Sequence, residues 1–182
     1  MKTLIVVDVE ADGPCPGLYS MVCFGAVAVT PALDLTFYGK TAPLIDDEGA
    51  GPNPAMFIPD ALAISGFTRE QHLKFQNPVK TMLAFEAWLK QFARPVFISD
   101  NPAFDWQFIN YYFHRFTANG NPMGYSARRI GDLYAGLKCD LSYANKWKHL
   151  RKTTHTHNPV DDAKGNAEAL LAMAAMGLKG IL

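Results

Sequence analysis

Apolar and polar residues follow two rhythms along this chain. Thr3–Val9 is β-branched and apolar and ends among acids, as a buried strand does. Asp12-Gly13-Pro14 marks a turn, and Ser20–Thr30, rich in Val and Phe, predicts a second strand. After a turn at Pro31 and Ala32, Leu33–Gly39 predicts a third strand, paired with the second as a hairpin. Ala42–Pro59 carries four prolines, two glycines and three acids and reads as a long surface loop. Short helices are expected at Pro59–Ile64 and around Thr68–His72. From Pro78 the period lengthens. Val79, Met82, Leu83, Phe85, Leu89 and Phe92 give one helix, and Ala103–Phe116 a second, with Phe104, Phe108, Ile109, Tyr112 and Phe113 inward. Val96–Ser99 between them is a short strand. Arg129–Leu133 predicts a last strand leading into a helix around Asp132–Leu137, followed by a helix at Leu141–Leu150. In Pro159–Met176, Asn158 supplies a cap, Pro159 the first position and Ala, Leu and Met the body, and Gly177 ends it.

Strands come first as a hairpin and then alternate with helices. That order predicts an α/β fold with one mixed five-stranded sheet flanked by helices. A dinucleotide-binding fold is excluded by the leading hairpin and the missing glycine fingerprint. No repeat or linker interrupts the 182 residues, so a single domain over 1–182 is expected.

Composition narrows the function. Seventeen basic residues balance seventeen acidic ones. Zero net charge excludes a protein that coats nucleic acid by bulk positive charge, though not one that holds it at a local site. With 12% aromatic and only 19% charged residues, global disorder is excluded. The apolar runs are too short to span a bilayer and the N-terminus lacks a signal-peptide pattern, so a cytoplasmic protein is expected. Cys15, Cys23 and Cys139, odd in number and widely spaced, suit reduced thiols.

Four acids stand where acids are costly. Asp8 and Glu10 end the most apolar strand and, two residues apart, share one face of it. Asp105 lies inside an aromatic helix, and Asp162 in the first turn of the Pro159 helix. Singly, each has an ordinary reading as a strand end, a helix-face acid or a partner of the helix dipole. Together, close carboxylates repel unless a cation pairs them, and divalent Mg2+ or Mn2+ with oxygen ligands is the simplest partner.

VDVEADG (Val7–Gly13), NPAFD (Asn101–Asp105) and HNPVDDA (His157–Ala163) resemble, in order and spacing, the three motifs of the DEDDh, or DnaQ-like, 3'–5' exonuclease family. The resemblance implies a ribonuclease H-like fold and removal of nucleotides from single-stranded RNA or DNA 3' ends as nucleoside 5'-monophosphates. It further implies two Mg2+ or Mn2+ ions on Asp8, Glu10, Asp105 and Asp162, with His157 as general base. Asp161 is the competing acid of the third motif, and the interval from His157 favours Asp162. His155 is an alternative base, and the His155-x-His157 pair an isolated zinc-like spacing without a second pair. The family's threonines after the first Glu are replaced by Ala11 and Asp12, whose backbone groups are candidates for the terminal nucleotide. Asp100 and Asn101 replace a common His-Asn pair, and Asn101 is a candidate for the loop or the substrate.

Five bases and one acid lie between Lys138 and Lys152. Tyr143, Lys146, Trp147 and Arg151 form a candidate phosphate path with an aromatic platform, or else a solvated face with Tyr143 and Trp147 against the core. Phe57, Leu62 and Phe67 are placed by analogy with the family's base-wedging loop. A homodimer is allowed. Two other functions compete: a ribonuclease H-like endonuclease, and a non-catalytic nucleic-acid-binding module on the same fold.

Overall fold

The computed structural model describes residues 2–44 and 56–182. Most of the Ala42–Pro59 segment expected to be a loop lies outside the described residues. Five strands form one sheet: β1 (Thr3–Ala11), β2 (Met21–Ala28), β3 (Thr36–Lys40), β4 (Pro95–Ser99) and β5 (Arg128–Arg129). Their order is β3-β2-β1-β4-β5. The first three strands are antiparallel neighbours, and β4 and β5 continue the sheet in parallel. The helices are α1 (Pro59–Ile64), α2 (Arg69–Leu73), α3 (Pro78–Leu89), α4 (Pro102–Phe116), α5 (Ile130–Lys138) and α6 (Pro159–Ala175). This is the mixed, helix-flanked sheet expected from the pattern.

Side chains of a strand alternate between faces, and β1 is buried on both. Its odd row, Ile5, Val7, Val9 and Ala11, packs with Phe85, Phe108, Tyr112 and Phe113 of α3 and α4. Its even row begins with Leu4 and Val6, which pack with Trp147, Ala163, Ala167 and Leu170 on the other side. Asp8 and Glu10 continue that even row. The sheet face beneath α6 therefore changes from apolar to acidic within one strand.

Capping follows the residue types. Asn158 accepts the Val160 N–H and Asn77 the Val79 N–H, while Thr68 and Gln71 close a reciprocal capping box on α2. Three expected elements differ. The last strand, expected over Arg129–Leu133, is only Arg128–Arg129, because α5 already begins at Ile130. The third strand starts at Thr36 rather than Leu33, because Leu33 sits at φ 52° in a turn held by the Thr30 hydroxyl. Leu141–Leu150 is not one helix but two 3-10 turns, Leu141–Tyr143 and Lys148–Leu150. The Asp140 carboxylate caps only the first turn, through the Ser142 N–H, and the fully buried Trp147 stands just ahead of the second.

Candidate active site

Gly25 of β2 lies opposite Asp8 of β1. A Cβ at Gly25 would stand 2.3 Å from the Pro159 carbonyl carbon and oxygen. Only a missing side chain lets the start of α6 press onto the sheet there. That contact carries Asp162, in the first turn of α6, over the acidic end of β1. One ligand atom each from Asp8, Glu10 and Asp162 lie within 4.8 Å of one another. Asp162 is 1% exposed, and its two oxygens accept the Thr156 N–H (2.9 Å) and the His157 N–H (3.0 Å). Asp105, from the first turn of α4, is buried behind the strand, with Oδ1 accepting the Val9 N–H at 3.1 Å. It stands outside the closest trio yet near enough for its charge to act on Asp8.

The electrostatics follow from this crowding. Burial, and then the charges of Asp105, Glu10 and Asp162, push the Asp8 carboxyl well above its ordinary range, with Arg151 opposing them. Burial and Asp162 raise Glu10 to about 7, and burial raises Asp105 to about 7 against the Val9 N–H. Buried like charges with so little cationic relief, presenting only oxygen donors, fit hard divalent ions.

His157 adopts φ 60°, which turns its N–H onto Asp162 and leaves its exposed ring with Nδ1 3.6 Å from Glu10 Oε1. His155 lies 2.9 Å from Asp162 Oδ2 through Nδ1, and the two imidazole centroids are 4.5 Å apart. Asp161 is not part of the trio and accepts a long 3.4 Å bond from the Thr156 hydroxyl. Of the two adjacent acids, Asp162 is therefore the one joined to Asp8 and Glu10.

The expected substrate contacts divide. Trp147 is fully buried with the α5–α6 core, so it is no platform for a base. The large indole wins more from burial than exposure would give it. The Arg151 guanidinium stacks 4.8 Å above that ring and is mostly covered, with its charge felt at Asp8. Lys146 is exposed over the half-buried Tyr143 ring at 4.5 Å. Lys148 pairs with Asp100 at 2.8 Å, which gives Asp100 a basic partner. Asn101 is exposed, and its carbonyl accepts the Asp105 N–H.

Asp12, whose backbone groups were the candidates, is turned inward throughout: its N–H bonds the Ser20 carbonyl at 2.9 Å, and its side chain is fully buried. It accepts the Ser20 N–H at 2.5 Å and Arg69 at 3.0 Å, while its carbonyl takes the Ile58 N–H at 2.8 Å. His72, 3.7 Å away, is neutral near pH 7, because burial and then Arg69 lower it to about 4. Asp12 thus ties α1 and α2 to the end of β1. Beside Glu10 this leaves an apolar hollow of about 330 Å³, lined by Ala11, Pro14, Ile58, Ala61, Ile64 and Phe104. Leu62 and Phe67 instead pack away from it with Val22 and Cys23, and Phe57 lies under the Arg69 guanidinium. Ile58, Ala61 and Ile64 were absent from the sequence-based candidates. Their only signal is spacing along a six-residue helix begun by Pro59.

A relative from Escherichia coli, the 3'-5' DNA exonuclease Cap18, is 34% identical over 183 residues, covering 92% of this chain and 89% of the relative. No family model matches the chain. The nuclease domain of 3'hExo, a DEDDh family member solved bound to rAMP, superposes with a TM-score of 0.74 at 15% identity, over 97% of this chain and 94% of that one. Cell-death related nuclease 4 (CRN-4) gives a TM-score of 0.71 at 15% identity, over 97% and 65% of the two chains. E. coli exonuclease I in complex with a dT13 oligonucleotide gives 0.66 at 15% identity; the match covers 98% of this chain but only 42% of exonuclease I. Fold and acidic centre together define a metal-dependent nuclease of the ribonuclease H-like class. Within it, the chain belongs to the DEDDh, or DnaQ-like, family of 3'–5' exonucleases. Among the described residues, no helix is long and apolar enough to cross a membrane.

Proposed function

We propose that residues 1–182 act as one exonuclease domain that shortens single-stranded nucleic acid from its 3' end, releasing nucleoside 5'-monophosphates. Asp8, Glu10, Asp105 and Asp162 would hold two divalent ions, Mg2+ or Mn2+, and His157 would serve as the base. The observation that carries this reading is the meeting of Asp8, Glu10 and Asp162 within 4.8 Å, with His157 hung over Glu10. Such ions supply Lewis acidity, offsetting charge on the phosphoryl group and on the departing 3'-oxygen.

The chain's own groups account for the rest. His157 takes a proton from the attacking water through its imidazole nitrogen. The water oxygen bonds to phosphorus, the bond from phosphorus to the 3'-oxygen breaks, and that oxygen takes up a proton. The hollow beside Glu10 receives the terminal base on Ile58, Ile64 and Phe104, a sequence-tolerant apolar contact. Lys146 and Arg151 offer positive charge to the phosphates that follow. DNA is the favoured polymer, because the 34% identical relative is named a DNA exonuclease.

Matched end-labelled DNA and RNA oligonucleotides, digested with Mg2+, Mn2+ or EDTA, test this. A ladder of single-nucleotide steps from the 3' end, faster on DNA and absent in EDTA, is expected. Internal fragments would mark an endonuclease, and binding without cleavage in both metals would mark a non-catalytic module. Either result overturns the proposal.

A further inference from the structure

Directly ahead of α6, a second set of donors has a different chemistry. Ligand atoms of His155, His157 and Asp162 lie within 4.8 Å of one another. Two are imidazole nitrogens, and the third is a carboxylate oxygen. Magnesium prefers an all-oxygen shell, whereas two imidazoles and a carboxylate suit zinc and its neighbours among the transition metals. We propose that these three residues form a site for a zinc-like transition ion, separate in its selectivity from the carboxylates that would hold magnesium.

Four features of the loop support it. Zinc holds nitrogen and oxygen ligands at about 2.0–2.2 Å, so tetrahedral ligand atoms stand roughly 3.4 Å apart. The 2.9 Å between His155 Nδ1 and Asp162 Oδ2 is about half an ångström from that figure, a gap that a small turn of the exposed ring closes. Both rings are half exposed at their side chains, so they can turn onto an ion without disturbing the core. Asp162 is already held by the N–H groups of Thr156 and His157, the outer support that orients a metal-binding carboxylate. Three protein ligands also leave a fourth position open to water or a phosphate oxygen, as at catalytic zinc sites.

The consequence rests on the function proposed above. A transition ion here occupies the imidazole of His157 and an oxygen of Asp162, so it arrests the enzyme while magnesium still fits Asp8 and Glu10. Zinc would then act as a reversible brake on digestion.

Binding is read without reference to activity. Calorimetric titration of magnesium-free protein with Zn2+, and visible absorption of the Co2+ form, are compared in wild type, His155→Gln and Asp8→Asn. His155→Gln changes an exposed loop residue, and circular dichroism confirms its fold. One ion should bind the wild type with the absorption of a site of low coordination number. His155→Gln should weaken Zn2+ by about tenfold or more, while Asp8→Asn weakens Mg2+ and leaves the Zn2+ affinity and the Co2+ spectrum in place. Zinc affinity unchanged in His155→Gln, or lost in Asp8→Asn, overturns the site. The oligonucleotide ladder in Mg2+ fails or succeeds independently, so the loss of one proposal is distinguishable from the loss of the other.

Discussion

Asp8 is the residue at which burial and like charge meet most severely, since Asp105, Glu10 and Asp162 all act on it and only Arg151 offers relief. Removing it lowers the repulsion but takes away the carboxylate shared by the cluster. Asp8→Ala should therefore fold at least as well as wild type without metal, yet lose Mg2+ binding and about a thousandfold or more in turnover. His157→Ala should behave differently. Its ring touches the cluster only from solvent, so Mg2+ affinity should hold while turnover falls by about 10²–10⁴-fold. Isothermal titration and single-turnover digestion check the pair, and wild-type turnover in either variant would remove that residue from its role. Asp8, Glu10 and Asp105 stood out in the sequence because each interrupts an apolar pattern, whereas Asp162 was chosen over Asp161 by its interval from His157. Trp147 stayed open between platform and core, and the side chain of Asp12 had no reading at all, for the complementary reason. Which way a side chain turns depends on partners distant in sequence, here Arg69 for Asp12 and the α5–α6 core for Trp147.

Elements rather than residues decide whether the acids meet. The start of α6 reaches Asp8 only because Gly25 gives it room, and Gly25 looks in the sequence like any strand glycine. Gly25→Ala should force α6 outward, cost about 1–3 kcal/mol of stability by overpacking, and weaken Mg2+ binding even though every ligand remains. A melting curve and a metal titration read both effects. Unchanged Mg2+ affinity in a destabilised Gly25→Ala would show that α6 is not positioned through this contact. The long elements were legible because their caps and periods agree, as in α6 with Asn158 and Pro159. The Leu141–Leu150 segment was not, because its one large apolar anchor, Trp147, is placed by tertiary burial rather than by a repeating face. The hollow beside Glu10 was hidden for a related reason. It exists only where α1, β1 and α4 come together, and no one of them carries its pattern.

Across the whole molecule, seventeen acids less the four proposed ligands leave thirteen against seventeen bases, so neutrality conceals an acidic centre in a mildly basic body. That separation makes stability depend on pH in a direction opposite to an ordinary ion-paired protein. Burial raises Glu10 and Asp105 to about 7 and Asp12 to about 6, and lifts Asp8 as well. Unfolded, such carboxyls titrate near about 4. Without metal the folded state thus binds more protons than the unfolded state between those limits. Its stability is complete below about pH 4 and drains as pH rises through 7. His72, lowered to about 4, acts in the other direction, since protonation of the unfolded histidine draws the chain open as pH falls. Four carboxyls outweigh one imidazole. Metal-free protein in EDTA should therefore melt lower at pH 8 than at pH 5, by roughly 5–10 °C for a loss of a few kcal/mol. Saturating Mg2+ should abolish or reverse the difference, because ions bind the charged carboxylates and stabilise the fold by mass action. Melting curves at the two pH values, with EDTA and with Mg2+, decide it. An EDTA form that melts as high at pH 8 as at pH 5 would mean that the acidic centre is relieved without cations, and the metal reading of the cluster would lose its physical basis.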